Sequence, residues 1–276
     1  MPRRRARPPA AGLFTRAIAQ SVPGTYFAPA LARDAAVQLC RPLGLDPTAA
    51  ALADVPPERL LEALAELDGR MPTLTSWGLA ARTPSPFSPV VDGDVLPIDP
   101  WTGLAAGAGR DVALVVGHNR DEWRLFLALG GLVGAVTDEM AVDAMTVFGP
   151  GPDAPARYRS AFPDAGAEEL YVTVHSDRMF RIPSVRLAAA HTAGGGRSHL
   201  YELTWPSPAA GGVLGACHAL DLPWSSVCST RDWPSWCSAP HPPPTPPSSP
   251  SRCRRRGRAS PATAIPDGRR TTSSSS

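Results

Sequence analysis

Two short segments hold the residue types best suited to chemistry. The first is Gly117-His118-Asn119-Arg120-Asp121-Glu122-Trp123, directly after the apolar run Val112 to Val116. The second is Gly215-Ala216-Cys217-His218-Ala219-Leu220-Asp221-Leu222, behind a glycine-rich turn. An imidazole can take a proton from a hydroxyl near neutral pH. A carboxylate bonded to that imidazole fixes its tautomer and stabilises the imidazolium that forms. Acid before histidine along the chain is one known order for the last two members of a nucleophile–base–acid triad. With 25 acids and 6 histidines in the chain, spacing alone does not single out this pair.

Other clusters read less sharply. His118, His175, His191, His199 and His241 carry no motif and are expected to be structural or solvated. Cys217, Cys228, Cys237 and His241 match no zinc-ligand spacing, so no metal and no cofactor is expected. Trp77, Trp101, Trp123 and Trp205 are expected to pack in a core or line a pocket. On the bland reading, Glu122 is a surface carboxylate near a helix start, where the helix dipole favours acids.

The elements that must position these residues can be traced from pattern. Phe14 to Ser21 alternates loosely and reads as a short strand before the Pro23-Gly24 turn. Leu31, Ala35 and Leu39 recur at helical spacing within Phe27 to Leu39. Pro56 and Pro57 open a second helix, in which Leu60, Leu61, Leu64 and Leu67 form one face and Asp68-Gly69 the stop. Residues 72–100 are proline-rich and read as an irregular crossing. Val112 to Val116, ending at Gly117, suits a parallel strand covered on both faces. Thr137 caps an expected helix from Asp138 to Phe148, with two acids in its first turn. Ser176 to His191 reads as helix, kinked or split at Pro183. His199 to Trp205 alternates as a strand. Strands separated by long helical stretches indicate an α/β architecture, with sites at the carboxyl ends of the strands.

Several segments together resemble the bacterial type-B carboxylesterases. Gly12 to Ser21 resembles the stretch that follows the nucleophile helix in that family, and Pro89 to Pro97 resembles its P-V-V-D-G segment. Gly117 to Glu122 is similar to its G-x-N-x-D-E motif, Phe180 to Pro183 and Leu214 to His218 also match, and the order is kept from residue 12 to 224. The resemblance implies an α/β-hydrolase fold, Glu122 as the acid and His218 as the base. It also implies a small-molecule carboxylic ester as substrate and acyl transfer through a serine without cofactor. That serine belongs to a G-x-S-x-G elbow upstream of the matched region, and no such string occurs in these 276 residues. The nearest, Gly196-Arg197-Ser198-His199-Leu200, lacks the second glycine and opens a strand instead of closing one. The expected fold is therefore a partial α/β-hydrolase lacking the N-terminal half of the sheet, with the strand at 16–21 left as an apolar edge.

Composition frames this reading. Apolar residues make up 43% and charged residues 19%, as in a globular protein. Five cysteines without a C-x-x-C pair suggest neither disulfide framework nor zinc site, and point to a reducing, cytoplasmic setting. No apolar run reaches the roughly 20 residues that span a bilayer, and Met1 to Gln20 lacks the apolar core of a signal peptide. A net charge of +2 gives no electrostatic case for nucleic acid. The expected organisation is a basic segment at 1–11, a hydrolase domain at 12–224 and a low-complexity Pro/Ser/Arg tail at 225–276. The tail is too poor in apolar residues to offset its ordering entropy. Lysine is absent and Asn119 is the sole asparagine, which suggests a gene rich in G and C; the tail then reads as a frameshift after residue 224. Three readings stay open: a carboxylesterase portion inactive alone, a split hydrolase completed by a separate N-terminal fragment, and an interaction protein that uses its tail.

Overall fold

Leu114 and Val116 are buried on β2 (Ala113–Asn119), the middle strand of a three-stranded sheet. The computed structural model describes residues 12–222. Strand order is β1 (Arg16–Gln20), β2, then β3 (Ser198–Leu203). Amide Ala113 donates to the Thr15 carbonyl and Ser21 to that of Gly117, while Leu114 donates to Arg197 and Arg120 to Leu203. Donor and acceptor numbers rise together on both sides of β2, so all three strands run parallel. Parallel neighbours need long crossovers, and the helices supply them. In chain order these are α1 (Pro29–Cys40), α2 (Ala49–Leu52), α3 (Pro57–Arg70), α4 (Pro100–Ala105), α5 (Trp123–Leu129), α6 (Asp138–Phe148), α7 (Ala154–Ala161), α8 (Ala167–Ser176) and α9 (Ile182–Ala193). This is the expected partial α/β-hydrolase fold.

The chain divides into two compact units. The first comprises residues 12–19, 23–116 and 185–200. Prolines occupy the first turns of α1, α3 and α4, where the missing N–H has no helical partner to lose. Its core gathers Ala35 from α1, Leu67 from α3, and Met71, Trp77 and Ala81 from the turns that follow. The Trp77 indole donates to Asp34 at 2.6 Å, which satisfies its buried N–H. Leu61 does not join the expected apolar face and is 64% exposed; Ala63 and Leu67 are the buried positions of α3. That helix also runs through Gly69 to Arg70 instead of stopping there. The proline-rich crossing contains 3₁₀ turns at Met71–Thr73 and Thr75–Arg82 and a parallel bridge from Phe27 to Val90. On β1, Ile18 is 61% exposed, so the apolar character expected of this outer strand is present.

The second unit comprises residues 20–22, 117–184 and 201–222. Thr137 caps α6 by accepting the Met140 amide, as its position predicts. Ala141, Ala144, Met145 and Phe148 of α6 pack against Tyr158 of α7 and Leu170 and Val174 of α8. Between α8 and α9 the chain makes a π-helical turn, Asp177–Arg181. Pro183 lies just beyond it. A proline there lacks the amide that would bond back, and its ring crowds the carbonyl four residues earlier, so the turn widens. The split expected at Pro183 is thus present, but helix already begins at Ala167 instead of Ser176. Strand β2 likewise continues through Gly117 to Asn119. The expected segments at 1–11 and 225–276 lie outside the described residues.

Candidate active site

β2 ends at Asn119, and the next three residues turn the chain into α5. Glu122 stands at the N-terminal end of that helix, fully buried at 0% exposure. It is therefore not the solvated surface carboxylate of the bland reading. A buried carboxylate needs bonded partners, and three donors meet it. The Ser21 hydroxyl donates to Oε1 at 2.5 Å, and the Asn119 amide donates to the same oxygen at 2.7 Å. His218 Nδ1 donates to Oε2 at 2.7 Å. The Glu122 carbonyl also accepts the His218 amide at 3.2 Å.

A carboxylate oxygen accepts, so the ring bonds Oε2 through its Nδ1–H, which leaves Nε2 as the ring nitrogen turned away from the acid. The imidazole side chain is 30% exposed while its acid is sealed from water. Two phenyl rings flank it: Phe180 from the π-helical turn at 4.8 Å between centroids and Phe126 from α5 at 5.2 Å. The wider turn at Asp177–Arg181 thus has a local use, since it carries one wall of the histidine's environment.

The loop that bears His218 is stitched to the turn after β2. Asp121 donates its amide to the Ala216 carbonyl and accepts the Ala216 amide through Oδ2, each at 2.9 Å. Asn119 Nδ2 donates to the Cys217 carbonyl at 2.7 Å. Cys217 is fully buried among Leu214, Ala216 and Leu220.

A second polar cluster contains His118 and Glu202. His118 Nε2 lies 3.6 Å from Glu202 Oε1, beyond hydrogen-bond length, and Arg181 and Arg120 approach the same carboxylate at 3.5 and 3.4 Å. His118 first, then Arg181 and Arg120, hold the Glu202 carboxyl down at about 2, so it stays ionised and is unsuited to proton transfer. His175 is boxed by Trp123, Tyr171 and Phe148. Burial pulls it down to about 4, so it is neutral at ordinary pH.

The structure therefore brings the two sequence-predicted residues, Glu122 and His218, into direct contact across 96 positions of chain. Ser198, the nearest string to a nucleophile motif, stands at the start of β3 in the other unit. His191 Nε2 must donate to the Gly109 carbonyl, so its Nδ1 accepts the Ser198 hydroxyl at 2.7 Å. That pairing buries His191 as a structural tie, without a carboxylate behind it. Among the described residues no cluster of three or more His, Cys, Asp or Glu could hold a metal ion; Cys228, Cys237 and His241 lie outside them. Sequence reasoning gave no role to Phe126, nor to Ser21 or Phe180, although the last two lie in segments that match the family. The signal for Ser21 was its place at the end of the motif-like stretch Gly12 to Ser21.

Glu122 thus lies just past one parallel strand and His218 in the loop after a later one. The model of the carboxylesterase family matches residues 5–144, a span that includes Glu122. The chain belongs to the carboxylesterase family. Among solved structures it is similar to carboxylesterase EST55 of Geobacillus stearothermophilus, with 27% identity, a TM-score of 0.59, and 78% of this chain covered against 42% of that one. It is also similar to a PNB esterase, with 25% identity, a TM-score of 0.56 and the same two coverages. The chain thus spans less than half the length of either structure. No described helix is long and apolar enough to cross a membrane.

Proposed function

We propose that this chain supplies the acid and base of a serine-dependent carboxylic ester hydrolase, with Glu122 orienting His218 and His218 Nε2 as the proton acceptor. The supporting observation is the 2.7 Å bond between a partly exposed imidazole and a fully buried, triply bonded carboxylate. In such a site the imidazole takes the serine proton as the oxygen attacks the ester carbonyl and returns it to the departing alkoxide. Water then repeats the sequence on the acyl-enzyme. The second oxygen of Glu122 is held meanwhile by Ser21 and Asn119.

The 276 residues contain no G-x-S-x-G elbow, so on this reading they do not turn over esters by themselves. Losing even one oxyanion-hole donor typically costs about 100- to 1000-fold in rate, and the elbow supplies a donor as well as the nucleophile. The test is hydrolysis of p-nitrophenyl butyrate. The purified chain should release nitrophenol no faster than its His218→Gln variant. A fusion to an elbow-bearing segment of a related esterase should show turnover that Glu122→Gln and His218→Gln both abolish. Turnover by the chain alone that is lost in His218→Gln would sink the proposal.

A further inference from the structure

His218 sits in a segment with little regular structure to hold it. Residues 218–221 form a turn, and Ala219, directly after the histidine, takes a left-handed φ of +66°. A non-glycine residue there is strained and persists only where neighbours over-determine it. Upstream the ties are those of Asp121 to Ala216. Downstream the holding group is Asp221, a carboxylate only 5% exposed.

Both oxygens of Asp221 are engaged. Asn119 Nδ2 donates to Oδ1 at 3.2 Å, and the Tyr201 hydroxyl donates to Oδ2 at 2.5 Å. The two donors come from adjacent strands, β2 and β3. The same Asn119 amide nitrogen also reaches the Cys217 carbonyl, so it binds the loop one residue before His218 and three residues after it. The tyrosine ring lies directly over Gly117, where any Cβ would run into it. This missing side chain lets the phenol approach Asp221. Burial, then the bond to Asp221, push the Tyr201 hydroxyl up, which keeps it a donor.

We infer that Asp221, clamped by Tyr201 and Asn119, is a positioning residue that fixes the His218 ring against Glu122. This rests on the acid–base role given to that pair above. Stability alone does not call for a carboxylate here, since well-packed apolar residues usually serve a buried site as well or better. What two fixed acceptor oxygens add is direction. The His218–Glu122 bond tolerates little displacement: a shift of about 1 Å takes it past hydrogen-bond length.

The test reads the His218 Nδ1 proton by NMR on the full chain labelled in its histidines, with His218→Gln giving the assignment. In the unsubstituted chain this proton should be far downfield, slow to exchange with water and lost in Glu122→Gln. Tyr201→Phe keeps the ring over Gly117 and removes only the hydroxyl; it should speed exchange roughly tenfold, the equivalent of one hydrogen bond. Asp221→Ala should have the larger effect. Since Asp221→Ala could unfold the loop altogether, Tyr201→Phe, checked for an unchanged near-ultraviolet dichroism, decides. If the proton responds to Glu122→Gln but is indifferent to Tyr201→Phe and Asp221→Ala, the positioning role is wrong and the acid–base reading stands. If it is indifferent to Glu122→Gln, both fall.

Discussion

Replacing Ser21 with alanine should destabilise the chain by about 2 kcal/mol, the size of a hydrogen bond to a charged group. The hydroxyl donates to Glu122 Oε1 at 2.5 Å, and the acid is fully buried. After substitution that oxygen keeps only the Asn119 amide. Ser21 also has a φ of +49°, and this separates two contributions. Ser21→Ala removes the hydroxyl but keeps the left-handed strain. Ser21→Gly removes both, and glycine adopts that conformation freely. The glycine variant should therefore be about 1 kcal/mol more stable than the alanine variant, though below the unsubstituted protein. Urea titration followed by tryptophan fluorescence measures both. The midpoints should fall in the order serine, glycine, alanine at a common slope. An alanine variant within about 0.5 kcal/mol of the original, the usual scatter of surface substitutions, would refute the claim that the serine stabilises the buried acid.

Two further outcomes follow from buried groups. The His175 pKa falls from 6.5 to about 4 through burial, so the folded state prefers it neutral. Its contribution is intact above pH 6.5 and declines as pH drops towards 4, by up to about 1.4 kcal/mol per pH unit. His175→Phe, which keeps an aromatic ring among Trp123, Tyr171 and Phe148, should flatten stability against pH over that window; equal slopes for the two proteins in pH-dependent urea titrations would contradict this. Gly117→Ala puts a methyl into the Tyr201 ring at the centre of the sheet. Overpacking of this kind costs typically 1–3 kcal/mol, so thermal unfolding should shift down by several degrees, and an unchanged midpoint would mean that the ring moves freely.

Sequence made legible what local chemistry decides. Helix α6 matches its expected span because a capping threonine, two first-turn acids and a terminal glycine all act within a few residues of it. Glu122 and His218 were legible because the motifs around them fix residue types in order. What was not legible depends on partners far along the chain. Strand β2 passes through Gly117 because Tyr201, distant in sequence, takes the space a side chain would fill. Leu61 falls outside the core because the facing surface from α1 and the Trp77 turn meets Leu67 instead. Ser21 ends a motif-like stretch, but only the folded chain puts its hydroxyl on an acid 101 residues away.

Two of the three described non-glycine residues with left-handed φ adjoin the Glu122–His218 pair, the third being Ala210. Ser21 and Ala219 hold left-handed conformations, and Glu122 is an ionisable group without exposed surface. Each feature alone is unfavourable, and each is offset by bonds to the others' neighbours: Ser21 to Glu122, Asn119 to Glu122 and to Cys217, Asp121 to Ala216. Local strain of this kind persists only where the surrounding bonds over-determine it, as they do here, and the proposed acid–base role would draw on that rigidity. Ser21, Asn119, Glu122, Phe126, Phe180 and His218 all belong to one compact unit. The acid–base geometry can therefore be preorganised by contacts within that unit, and an imidazole held at fixed orientation against a dry carboxylate is what a serine nucleophile would require of it.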